Sequence, residues 1–259
     1  MAGRRIGCRP GVNLANWSGG ELKWVGFVCL CLSSFSAAVL QRGVMALDSY
    51  TTTQELYEAM RPGSGMIGWA TAAVLCSLAA TLAIPIYAKM LCEGVRHTSS
   101  VKRYILRLAA CALASEIPYD FAMSGKLLDF SLQNPVWALL VAAVMLAILR
   151  QWKFPSKAAS VGFSALVVLS AAVWPLLLRS YMGVLLVLLA ALFHFAGTRR
   201  WLAALGGVVL TLPQFPAPLG MLLVHWYDGT KGKADRRLFY ILYPAQLLLF
   251  GVWGLLVRS

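Results

Sequence analysis

Residues 66–90 read MIGWATAAVLCSLAATLAIPIYAKM, with Lys89 the single charged side chain. A helix needs about 20 predominantly apolar residues to cross a bilayer core of about 30 Å. This stretch meets that length, and comparable runs recur along the chain. They cover residues 22–41, 104–121, 130–149, 158–178, 181–197, 201–227 and 238–257. The run at 201–227 has no charged side chain but holds Pro213, Pro216 and Pro218. Proline removes a helix donor, so this run is expected as one kinked span or two short half-spans.

Composition agrees with the runs. Of 259 residues, 59% are hydrophobic and 13% charged, against about a quarter charged in soluble domains. Too few polar side chains remain to cover the surface with water-facing groups, so lipid is the expected surroundings. The expected fold is an all-α, polytopic integral membrane helical bundle of about eight or nine hydrophobic segments. Residues 1–21 are expected as a cytoplasmic N-terminal segment and residues 22–259 as one transmembrane domain. Ser36-Ala37-Ala38 resembles a signal cleavage site, but the preceding run is nearer a full span than a signal peptide, so an uncleaved first helix is favoured.

The net charge is +13. The cations fall in short clusters between apolar runs, the pattern of cytoplasmic loops rather than of a nucleic-acid surface, so no nucleic-acid partner is expected. Arg4, Arg5 and Arg9 set the N-terminus inside. Lys89, Arg96, Lys102 and Arg103 form a second inner group, and Arg150, Lys153 and Lys157 a third. Arg199 and Arg200 follow, then Lys231, Lys233, Arg236 and Arg237. The segment 42–65 balances Arg42 and Arg61 against Asp48, Glu55 and Glu58, which suits the outside, as does the neutral pair Lys126 and Asp129. Keeping Arg199 and Lys233 on one face requires the proline-broken run to enter and leave on the same side. Localisation in a bacterial inner membrane, with a cytoplasmic N-terminus, is the expectation.

Cys8, Cys29, Cys31, Cys76, Cys92 and Cys111 show no redox or zinc spacing and read as small packing residues. The string Gly63-Ser-Gly65-Met-Ile-Gly68 lacks the strand that a dinucleotide fingerprint needs. No phosphate loop, HExxH or GxSxG elbow occurs, and no metal site is expected.

Ionisable groups inside an apolar helix are costly. Glu116 and Asp120 stand at i and i+4, on one helix face, with Pro118 between them. They read as a proton-handling site or as an internal ion pair, with Arg107 or an arginine of another helix. Glu93, Arg96, His97 and Thr98, followed by Lys102, Arg103 and Arg107, form a second cluster, in which a histidine beside a carboxylate suits general-base work and the cations suit phosphates. Taken alone, the same cluster is also read as a basic loop that only anchors topology. His194 reads as interfacial packing. His225-Trp226-Tyr227 fits an aromatic belt, and Asp228-Gly229 a turn.

Several of these stretches together resemble the TraX family of membrane proteins. They are Ala83-Ile-Pro85-Ile-Tyr87, Glu93-Gly94, His97-Thr98, Tyr104, Arg107-Leu108 and Ser115-Glu116-Ile-Pro118-Tyr-Asp120. Further on come Gln133-Asn134, Tyr181 with Gly183, Tyr227-Asp228-Gly229 with Lys231-Gly232, Phe239-Tyr240 and Tyr243-Pro244. The resemblance implies a membrane-embedded acyltransferase using a cytoplasmic acyl-CoA, such as acetyl-CoA, with pilin or another membrane-associated amine or hydroxyl as acceptor. It points to His97, Glu116 and Asp120 as catalytic candidates and to Arg96, Lys102, Arg103 and Arg107 as holders of the CoA phosphates. Glu93, Asp228 and Gln246 are further candidates. The chain departs from the family pattern at Ser33-Ser34 (usually Asp-His), at Thr81 (usually Arg) and at Gln246 (usually His). A serine pair cannot replace a histidine base at neutral pH, so a non-catalytic membrane assembly or binding protein is a second expectation. A small-solute or proton transporter, suggested by the proline breaks and buried carboxylates, is a third.

Overall fold

The computed structural model describes residues 17–152, 154–180 and 183–258. Arg4, Arg5, Arg9, Cys8, Lys153 and Tyr181 lie outside them. Among the described residues the regular secondary structure is all helical, apart from an isolated bridge between Trp17 and Tyr227.

The first helix, α1 (Gly19–Phe35), opens with a capping box. Glu21 N donates to Ser18 Oγ, and Ser18 N donates to Glu21 Oε2 at 2.7 Å. The two bonds satisfy end donors that a helix leaves free. The helix does not stop at Phe35 but widens into a π-helical stretch, Ser36–Val44. Ser36 Oγ donates to Ala73 O at 2.7 Å and sits 2.9 Å from Ser77 Oγ, while Gln41 Nε2 donates to both serines. These polar contacts fasten the widened turns to α3 (Met66–His97). A short helix, α2 (Thr53–Ala59), interrupts the connection between them.

At 32 residues, α3 is about 48 Å long, which exceeds a bilayer core. Its last turns bear Glu93, Arg96 and His97. Ser100 caps α4 (Val101–Ser124), and Gly125, at φ 75°, ends it in the left-handed conformation that glycine adopts without strain. The next helix, α5 (Val136–Gln151), starts later than residue 130, because Asn134-Pro135 supplies the real start signal: Val136 N donates to Asn134 Oδ1 at 3.0 Å.

Then follow α6 (Lys157–Leu177), α7 (Gly183–Ala196), α8 (Arg200–Thr211), α9 (Ala217–His225) and α10 (Arg236–Arg258). The proline-broken run is thus two short helices separated by a tight turn at Leu212–Gln214. Twelve and nine residues span about 18 and 14 Å. Neither reaches across a bilayer core.

Among the described residues, four helices are long and apolar enough to cross a membrane: the first through Val44, α3, α6 and α10. These are the helices of a membrane protein; the larger number of spans expected above is not established by length and apolarity. α5 and α7 are apolar but shorter, at 16 and 14 residues, and α4 carries charges along its length.

Successive long helices run antiparallel, which sorts the charges into two ends. Arg150 Nη1 donates to Val95 O at 2.6 Å, and Gly19 N donates to Thr230 O at 2.8 Å. Those bonds put the ends of α3 and α5 beside the starts of α1 and α10, with Arg96, Lys102, Lys157, Arg200 and Lys231 in that zone. At the other end Arg258 pairs with Asp48 at 2.6 Å. There Arg42, which sequence reasoning put in an outer loop, is buried and donates to Phe121 O and Ala122 O at 2.7 and 2.9 Å. A guanidinium on the last carbonyls of α4 adds donors where the helix runs out of its own.

Candidate functional site

At the basic end a cleft of about 270 Å³ opens between the last turns of α3, the end of α7 and the α8–α9 hairpin. Arg200, at the start of α8, and His225, at the end of α9, both line it. The hairpin therefore enters and returns at one end of the bundle, the arrangement that the charges of Arg199 and Lys233 require. Gly220 makes the close packing of α9 possible. A Cβ there would lie 2.7 Å from Pro85 Cγ on α3.

One face of α3 supplies the centre of this cleft. Lys89, Glu93 and His97 stand one turn apart. Glu93 Oε1 lies 2.9 Å from Lys89 Nζ, and its Oε2 lies 3.1 Å from His97 Nε2. Lys89 and Glu93 are 19% exposed, whereas His97 is 66% exposed and sits at the rim. The Lys89 ammonium also lies 5.7 Å from the Phe193 ring centre and 5.9 Å from that of Tyr227. Ring faces attract a cation, so carboxylate and rings together hold Lys89 in place. Burial pushes the Tyr227 phenol up to about 12, reinforced by the negative charge of Glu93 and Asp228. The phenol therefore stays protonated at neutral pH.

The expected site residues divide between places. Glu93 and Arg96 line this cleft and His97 flanks it. Arg103 and Arg107 line a different, neighbouring cleft with Thr98, Ser99, Ser100 and Leu106. Lys102 is exposed and lines neither. Asp228 shapes its turn, accepting from Thr230 N at 2.6 Å and from Thr230 Oγ1 at 2.9 Å.

Glu116 and Asp120 lie toward the opposite end, Glu116 about 21 Å along α4 from Lys102. The ion pair entertained with Arg107 is not formed. Arg107 Nε donates to Arg103 O, while Glu116 Oε2 accepts from Asn134 Nδ2 and, at 2.8 Å, from Trp137 Nε1. Neutral donors at and just before the start of α5 thus take the role anticipated for an arginine. Asp120, 3% exposed, accepts from Asp129 N at 2.9 Å and holds the loop that follows α4.

Two of the departures from the family pattern meet in the bundle core. Gln246 Nε2 donates to Ser34 Oγ at 3.3 Å, both residues being buried. Buried Thr81 donates to Leu78 O, and Ser33 is half-buried beside Ser34.

Lys89, Arg200, His225 and Tyr227 were not singled out as a site in the sequence. The i, i+4, i+8 spacing of Lys89, Glu93 and His97 was the available signal. Arg200 and His225 carry no local signal, since only the hairpin brings them to α3.

No curated protein and no solved structure matches the chain. Residues 18–254 match the family model described as TraX protein. That match runs from the cap of α1 to within a turn of the end of α10, and on it the chain belongs to the TraX family.

Proposed function

We propose that this protein is a membrane-embedded acyltransferase that draws its acyl group from a water-soluble acyl-CoA at the basic end of the bundle. The observation that carries the reading is the cleft in which Lys89, Glu93, Arg96, Arg200 and His225 converge. Arg96 and Arg200 hold the CoA phosphates there, since guanidinium matches phosphate in charge and geometry. His97, held by Glu93, or His225, within the cleft, takes the proton from an amine or hydroxyl acceptor. The acceptor attacks the thioester carbonyl and CoA leaves as the thiol. Tyr227, protonated, donates to the carbonyl oxygen as charge builds on it. A pilin terminus is the acceptor class that the family suggests, and the basic end faces the cytoplasm of a bacterial inner membrane.

Intact-mass analysis of pilin, lipid and glycan acceptors with and without the protein tests this. A gain of one acyl group that depends on acyl-CoA is expected. Glu93→Gln, His97→Ala and His225→Ala, made separately, identify the base by a loss of roughly 10²- to 10⁴-fold. Full activity in all three removes the cleft from the chemistry.

The Ser34–Gln246 hydrogen bond favours a second reading. Two positions that carry ionisable groups in the family here satisfy one another as neutral groups. On that reading the protein is a non-catalytic membrane partner. It then binds no acetyl-CoA in titration calorimetry and yields no acylated product.

A further inference from the structure

The cleft beside the first turns of α4 stands apart from the one just described. It has about 450 Å³ and is lined by Thr98, Ser99, Ser100, Arg103, Leu106 and Arg107. Three features define its ligand. First, Arg103 and Arg107 are exposed one turn apart, and among the described residues neither forms an ion pair. Arg107 spends only its Nε, on Arg103 O at 3.2 Å, so its terminal amino groups stay free to donate. Second, the hydroxyl side chains of Thr98, Ser99 and Ser100 also line it. Third, the cleft is polar at one edge only. Leu106, part of the lining, is 58% exposed, and below it Ala110, Leu113, Ala114 and Ile117 continue an exposed apolar strip down the same face of α4. The 3.6-residue period puts 103, 106, 107, 110, 113, 114 and 117 on one face.

We infer that this face binds an anionic phospholipid, its phosphate in the Arg103–Arg107 cleft and an acyl chain along Leu106, Leu113 and Ile117. A free phosphate or a nucleotide would use the cations and hydroxyls but leave the apolar strip unexplained. A zwitterionic lipid would use the strip but bring a cation against two unpaired guanidinia. An anionic headgroup joined to a hydrocarbon chain satisfies both halves. The inference is independent of acyl transfer, since Arg103 and Arg107 line no part of the Lys89–Glu93 cleft.

Native mass spectrometry of the detergent-purified protein, titrated with phosphatidylglycerol, phosphatidylcholine and inorganic phosphate, tests it. Retention of phosphatidylglycerol is expected, with roughly 30-fold weaker binding in Arg103→Gln/Arg107→Gln, since two basic residues near an anionic headgroup contribute about 1 kcal/mol each. Lys231→Gln/Lys233→Gln carries the same charge change elsewhere on the basic end and is expected to bind as the unaltered protein does. Equal loss in both double variants would make the effect one of overall charge and overturn the site. Retention of phosphatidylcholine as tight as phosphatidylglycerol would also overturn it, as would competition by millimolar inorganic phosphate. Unchanged unfolding midpoints in both variants establish that they are folded.

Discussion

Glu116 is a carboxylate set in an apolar helix, and its partners are an amide and an indole rather than a cation. The sequence put Glu116 and Asp120 on one face, because i and i+4 share a face whatever the fold. It gave no means of finding Asn134 and Trp137, which come from the start of α5 and the loop just before it. Glu116→Ala leaves Trp137 Nε1 without its acceptor and Asn134 Nδ2 with Ala112 O alone, and an unpaired buried donor costs about 1–3 kcal/mol. The thermal unfolding midpoint in detergent is expected to fall, and to fall less in Glu116→Gln, which keeps one acceptor oxygen. Equal midpoints for the alanine variant and the unaltered protein would mean that the two donors find other acceptors. Lys89 teaches the converse. It reads in sequence as one more topological cation, and it becomes part of a site only because Phe193 and Tyr227 close over it.

Among the elements, the first helix and α10 pack through small residues. A Cβ on Gly43 would lie 2.9 Å from Gly254 O, and a Cβ on Gly254 would overlap the carbonyl of Ala38. Close backbone approach of this kind is a common way for helices to associate in lipid, where no hydrophobic force draws apolar surfaces together. Gly254→Val is expected to push α10 off the widened end of the first helix and to cost about 1–3 kcal/mol. Gly68→Ala, at a position with open space around it, is the matched control and is expected to leave the unfolding midpoint unchanged. The positions of the apolar helices followed from run length alone. The π-helical widening at Ser36–Val44 did not, and the groups that fasten it, Ala73 O and Ser77 Oγ, lie on another helix.

For the molecule as a whole, the two ends differ in charge, and the α8–α9 hairpin returns to the end at which it starts. In cells carrying variants free of native cysteines, a membrane-impermeant maleimide is expected to label Glu58→Cys from outside. Arg200→Cys and Lys233→Cys are expected to react only after the membrane is opened. Labelling of Lys233→Cys but not Arg200→Cys in intact cells would mean that the hairpin crosses instead of returning.

The sequence by itself determined that the protein is helical, that hydrocarbon covers much of it, and which family it belongs to. Each of these depends on local composition or on residue order, and both are present in an unfolded chain. Only the tertiary structure decided which charges share a site. It put Arg103 and Arg107 in one cleft and Arg96 with Arg200 in another, and it placed Glu116 far from His97. Residues distant in sequence become neighbours through helix direction and packing, and neither is written in any single run of side chains.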